Sequence, residues 1–165
     1  MSDLPSLDTL KTEIQEMRRG SKGGHLRPHK LVMLLSVIEL AERGLLPENK
    51  IYLEEPLLTV FENYFSLVQK KDDWCQPGPP FFHLRSSGLW FHKVKPDREM
   101  NYASLTTSGG GLQLIHDNVE YAYLRDDFFQ AISDPAPRRE LRRFITSLLN
   151  PDLDGVQQDF GQPDI

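Results

Sequence analysis

Apolar residues at Leu7, Leu10, Ile14 and Met17 recur at three-to-four spacing and predict an amphipathic helix over residues 6–19. Ser6 is a suitable N-cap for it and Gly20 a suitable stop. A glycine-rich connector, "GSKGGHLR", then leads to Pro28, whose missing N–H costs nothing in the first turn of a helix. Beyond Pro28 the pattern changes. "LVMLLSVIEL" is apolar on nearly every face, which predicts a central buried helix running to about Arg43 and ending at Gly44. "KIYLEE" predicts a short strand. "PLLTVFENYFSLVQKK" predicts a helix whose inner stripe is Leu57, Val60, Phe61, Tyr64, Phe65 and Val68.

The next segments are punctuated by breakers. Proline and glycine crowd "DDWCQPGPP", which predicts a loop. "FFHLRSSGLWFHKV" has the pattern of a hairpin, two aromatic-rich strands turning at Ser86, Ser87 and Gly88. "SLTTSGGGLQL" predicts a polar loop, residues 119–132 a short strand and the helix "RDDFFQAIS", and "APRRELRRFITSLL" a last helix. These elements predict an α+β fold, mainly helical, with a central buried helix and a small antiparallel β-sheet. One domain is expected over residues 1–150, and a polar tail or linker over 151–165.

Composition changes this picture little. With 39% hydrophobic and 26% charged residues the chain is an ordinary globular sequence. The single cysteine, Cys75, excludes an internal disulfide and a multi-cysteine zinc site, and it favours a reducing, cytoplasmic setting. No stretch approaches the roughly 20 apolar residues that span a bilayer. The opening "MSDLPSLDTL" lacks the pattern of a signal peptide, so no membrane partner is expected.

Charge changes it more. The net charge of −5 is unevenly spread. Residues 17–30 hold Arg18, Arg19, Lys22, Arg27 and Lys30 with no acid, and residues 81–98 hold Arg85, Lys93, Lys95 and Arg98 against Asp97 alone. Such clusters form a footprint for phosphates, although charge alone fits two solvated loops equally well. A glycine-rich loop feeding a helix N-terminus adds backbone donors and the positive end of the helix dipole, with Arg27, His29 and Lys30 beside it. Phosphate binding accounts for that loop better than a plain helix start does. His25 and His29 stand four apart, but Pro28 at the helix start separates them, and no neighbouring ligand completes a metal site. No phosphate loop, dinucleotide fingerprint or nucleophile signature is present, so the expectation is a binding domain rather than an enzyme, with no cofactor and no metal.

"RPHKLVMLL", then "PPFFHLRSSGLW", then "SGGGL" resembles the sulfur-binding domain of type IV restriction endonucleases that attack phosphorothioate-modified DNA. The likeness covers roughly residues 5–150. It implies a reader of double-stranded DNA that cradles the sulfur of one backbone linkage in a shallow apolar pocket flanked by cations. Carried over by position, Pro28, His29 and Lys30 match the first motif, with Arg27 just before it, and Pro80 matches the proline that contacts sulfur. Pro79 stands where the family commonly has tyrosine, and His83 where it commonly has a small residue. Base or phosphate contacts fall on Lys22, Arg85, Ser104, Thr107, Ser108 and Gly109. The family commonly joins this domain to an HNH nuclease domain, so a nuclease domain or subunit is an implied partner. Two other readings remain open on the residues alone. One is a reader of methylated or otherwise modified bases, using aromatics such as Trp74 or Phe82. The other is a protein-interaction domain using the acidic C-terminal third.

Overall fold

The computed structural model describes residues 7–17, 21–22, 25–70, 73–105 and 111–149, with backbone alone at residues 21, 22, 25, 26 and 111. The fold is α+β and mainly helical, with eight α-helices among the described residues. The predicted central helix is α2, His29–Glu42, and it is buried without a break from Leu31 to Leu40. It ends at Gly44, whose φ of 74° is the left-handed conformation that glycine adopts without a Cβ clash. Against α2 pack α3 (Leu57–Val68), α4 (Gly78–His83), α7 (Asp126–Ser133) and α8 (Pro135–Leu149). The stripe predicted for α3 is buried at all six positions. The first helix, α1 (Leu7–Gln15), buries Leu10 and Ile14 and lies on α8. Arg125 joins α1 to α7 by forking onto both oxygens of Glu13, at 2.9 and 2.6 Å, while its Nε donates to Asp127.

Part of the glycine-rich connector is strand. Ser21–Lys22 (β1) and His25–Leu26 (β2) pair antiparallel, with Lys22 opposite His25.

The predicted aromatic hairpin is absent. Gly78–His83 is helical, and Leu84–Ser87 continues as a single 3₁₀ turn. Consecutive prolines explain this. Pro79 and Pro80 lie in the first turn, where fixed φ and absent N–H suit a helix start, whereas a paired strand would lose two donors. Gly88, with φ at 80°, stops the helical run instead of turning a hairpin. Only the second half of the segment is extended, as β3 (Trp90–Val94). Its partner is β4 (Val119–Leu124), paired Trp90 to Leu124 and Phe91 to Tyr123, with an irregularity after Lys93. The strand expected at "KIYLEE" reduces to one bridge, Ile51 to Ala122, along the other edge of β4. The predicted 104–114 loop is cut short as well, because α6 (Gly111–Asn118) begins inside it and α5 (Glu99–Ala103) precedes it. The tail, 150–165, lies outside the described residues.

Candidate nucleic-acid interface

At the start of α2 the N-cap residue is Pro28, and it supplies no side-chain cap. An α-helix leaves its first N–H groups without intrahelical acceptors, and the helix dipole makes that end positive. Pro28 itself is buried, while Arg27, His29 and Lys30 are half-buried around it.

Two contacts clasp the 73–77 loop onto this end. The His29 Nε2–H donates to the carbonyl oxygen of Trp74 at 2.7 Å, and the imidazole lies 4.7 Å from the Phe65 ring, so its orientation is fixed from both sides. Arg27 Nη1 stands 4.0 Å from a carboxylate oxygen of Asp73, whose side chain is almost wholly buried. The other Asp73 oxygen accepts the Lys70 N–H at 2.9 Å. Thus two residues expected to meet DNA also hold a loop in place. That loop presents Trp74, 70% exposed, beside the cationic corner. Trp74 is one of the two aromatics that the modified-base reading named, and the other, Phe82, is buried.

The same loop runs into α4, which carries the second motif and packs against α2 and α6. Here the expected roles shift. Pro80 is buried, together with Gly78, Phe81 and Phe82, in a short helix that packs on both α2 and α6. The expectation of Pro80 as an open apolar wall is therefore not met; Pro79, one residue earlier and half-buried, carries the ring nearer the surface. On a hairpin strand His83 and Arg85 would alternate with core residues and share the outer face, but they lie on α4 and the 3₁₀ turn. His83 is half-buried with its ring edge-on to Phe82, at 5.2 Å. Arg85 lies 4.0 Å over the Phe82 ring and 5.0 Å over Tyr102, and its Nη2 donates to the Leu105 carbonyl at 3.2 Å. That guanidinium clamps the chain just ahead of residues 106–110.

Of the remaining sequence candidates, Ser104 is exposed and its hydroxyl donates to the Asn101 carbonyl at 3.0 Å. Thr107, Ser108 and Gly109 lie outside the described residues, and for Lys22 only the backbone is described. Among the described residues no three His, Cys, Asp or Glu side chains gather into a group that could hold a metal ion. Likewise, no helix among them is long and apolar enough to cross a membrane.

Sequence reasoning missed His92, on β3. Its ring stacks with Phe81 and Phe82 at 5.6 and 5.8 Å between centroids. Nε2–H donates to the Phe81 carbonyl at 2.9 Å, which leaves Nδ1 to accept from the Tyr102 hydroxyl at 2.7 Å. Burial, with the nearby Arg85 charge adding, pushes its pKa down to about 4 despite the Phe81 hydrogen bond. His92 is thus a neutral strut that ties α4 to α5.

No protein-family model matches the chain, and no curated protein is significantly similar to it.

Proposed function

We propose that this chain binds double-stranded DNA carrying a backbone phosphorothioate, as the targeting module for a nuclease domain or subunit. The observation that supports the reading is the hydrogen bond from His29 to the Trp74 carbonyl, which ties the loop leading into the Pro-Pro motif to the Pro-His-Lys motif at the start of α2. Arg27 and Lys30 supply attraction common to any phosphate, helped by the positive end of α2. Pro79 and the exposed Trp74 supply an apolar boundary. Replacing a non-bridging oxygen with sulfur keeps the charge but gives a larger, softer and less strongly hydrated atom. Oxygen set against that boundary loses hydrogen bonds worth about 1–3 kcal/mol, whereas sulfur loses less and gains dispersion. Cations set affinity, and the apolar boundary sets the difference between the two linkages.

The test is fluorescence anisotropy with a short duplex, thio-substituted at one linkage or unmodified. The expected result is at least about tenfold tighter binding of the thio-duplex, a difference of roughly 1.4 kcal/mol. Both affinities should fall as salt rises. Pro79→Ala should narrow the preference more than it lowers total affinity, and Lys30→Ala should weaken both duplexes alike. Equal affinity of the wild type for the two duplexes would overturn the reading. A duplex panel that includes methylated bases tests the alternative favoured by the exposure of Trp74. Phe82, being fully buried, is unavailable to enclose a base.

A further inference from the structure

A second feature lies on the outer face of the sheet. Strand residues alternate between faces, and the outward positions of an antiparallel sheet over a core are ordinarily polar. Here they are not. Trp90 and Ala122 point into the core, while Phe91 and Lys93 on β3 and Tyr123 on β4 are exposed and Tyr121 is half-buried. Along the β4 edge that the Ile51 bridge occupies, Ile51 is buried and its neighbours Lys50 and Tyr52 are exposed, so this third segment continues the alternation.

The rings form a continuous row. Phe91 lies 5.5 Å from Tyr123, Tyr123 6.3 Å from Tyr121, and Tyr121 5.8 Å from Tyr52. Lys50 Nζ sits 5.4 Å over the Tyr121 ring, and Lys93 is paired directly across from Tyr121. One carboxylate, Glu120, is exposed at the irregular end of β4. The rings pack on one another across the strands, which helps hold the sheet, but on their outer side nothing of the described chain covers Phe91 and Tyr123 fully. Aromatic faces at these spacings accept flat, π-bearing groups, and the interspersed ammonium groups accept phosphate oxygens. Nucleic acid has both in alternation, base and backbone, when its bases are unpaired.

We propose that this outer sheet face is a stacking platform for single-stranded nucleic acid, with Phe91, Tyr123, Tyr121 and Tyr52 meeting bases and Lys50 and Lys93 meeting phosphates. The platform does not depend on the thio-linkage reading. Stacking needs the strand's bases turned away from a complementary strand, so intact duplex is a poor occupant of this face.

The experiment titrates the full chain into a fluorescein-labelled oligothymidylate at low salt, followed by anisotropy. Wild type should bind saturably. Phe91→Ala and Tyr123→Ala should each weaken binding at least about fivefold, the loss expected for one stacked base. Lys93→Glu, which leaves every ring in place, should also weaken it, and it keeps the test readable if an alanine variant loosens the sheet. All three variants should retain the wild-type ratio of thio-substituted to unmodified duplex affinity, so that failure of either proposal leaves the other standing. Absence of saturable binding by wild type, as a self-association or protein-docking face would give, overturns the platform. So does wild-type affinity in the three variants.

Discussion

Replacing Arg142 with alanine should destabilise the fold by about 3–5 kcal/mol, the loss typical when one partner of a buried ion pair is removed. Arg142 is 5% exposed, on the buried face of α8, and Glu39, on α2, is 1% exposed. Arg142 Nη2 donates to Glu39 Oε1 at 2.9 Å and also meets Glu42, while Nη1 donates to the Tyr64 hydroxyl at 2.9 Å. The Tyr64 hydroxyl in turn donates to Glu39, and Arg43 pairs with the other Glu39 oxygen from the helix surface. Burial drives the Tyr64 pKa well above its ordinary value, with Glu39 adding to the shift and Arg142 opposing it, so the phenol stays a donor. Without the guanidinium, Glu39 keeps its desolvation cost but loses its principal partner. Urea unfolding measures the change. In a Glu39→Gln background the same Arg142→Ala substitution should cost less than half as much, because the stranded charge is already gone. A cost near 1 kcal/mol in both backgrounds would mean that the network is solvated and contributes little. The network matters beyond stability, since it fixes α2 against α3 and α8, and the other end of α2 is the candidate DNA-binding corner.

The helices of this core were readable in the chain because burial imposes a period on it. Leu57, Val60, Phe61, Tyr64, Phe65 and Val68 repeat at helical spacing and are buried together. The run from Leu31 to Leu40 in α2, apolar but for Ser36 and Glu39, could have no other place than the centre. The segment after Cys75 was misread because "PPFFHLRSSGLW" is a short aromatic run, and such runs fit helix or strand by periodicity alone. The two prolines held the answer, as paired strands exclude consecutive prolines and helix starts accept them. The partner of β3 was not legible at all. β4 lies 25 or more residues away along the chain, and no local pattern fixes that pairing. The same distinction runs through the site. Clustering of Arg27, His29 and Lys30 around the start of α2 follows from adjacency in sequence, whereas the inward turn of Pro80 and the clasp from His29 to Trp74 depend on how separate elements pack. His92 became visible only when Phe81, Phe82 and Tyr102 were brought around it.

That enclosure of His92 should make the fold acid-sensitive in a defined window. In the unfolded chain a histidine titrates near 6.5, but in the fold burial holds His92 down to about 4. Between those values the unfolded state binds a proton that the folded state refuses, so stability is full above about pH 6.5 and falls as pH drops toward 4. The loss should reach about 3 kcal/mol at the lower end, since each unit of pKa difference is worth about 1.4 kcal/mol. Asp127, held below the usual carboxylate range by its hydrogen bonds from Arg125, adds its own loss only below this window. Urea unfolding of wild type and His92→Gln across the window separates the contributions. The variant should begin less stable near neutrality, because glutamine cannot reproduce the ring stacking, yet its stability should fall less steeply with acid. An unchanged slope would show that His92 titrates alike in the folded and unfolded chain. The consequence for binding follows from connectivity. Tyr102, the Nδ1 partner of His92, lies on α5, and Arg85 holds Leu105 two residues beyond that helix. Protonating the strut therefore loosens α5 and the hold of Arg85 on Leu105 first, whereas the cationic attraction of Arg27 and Lys30 at the start of α2 does not pass through His92.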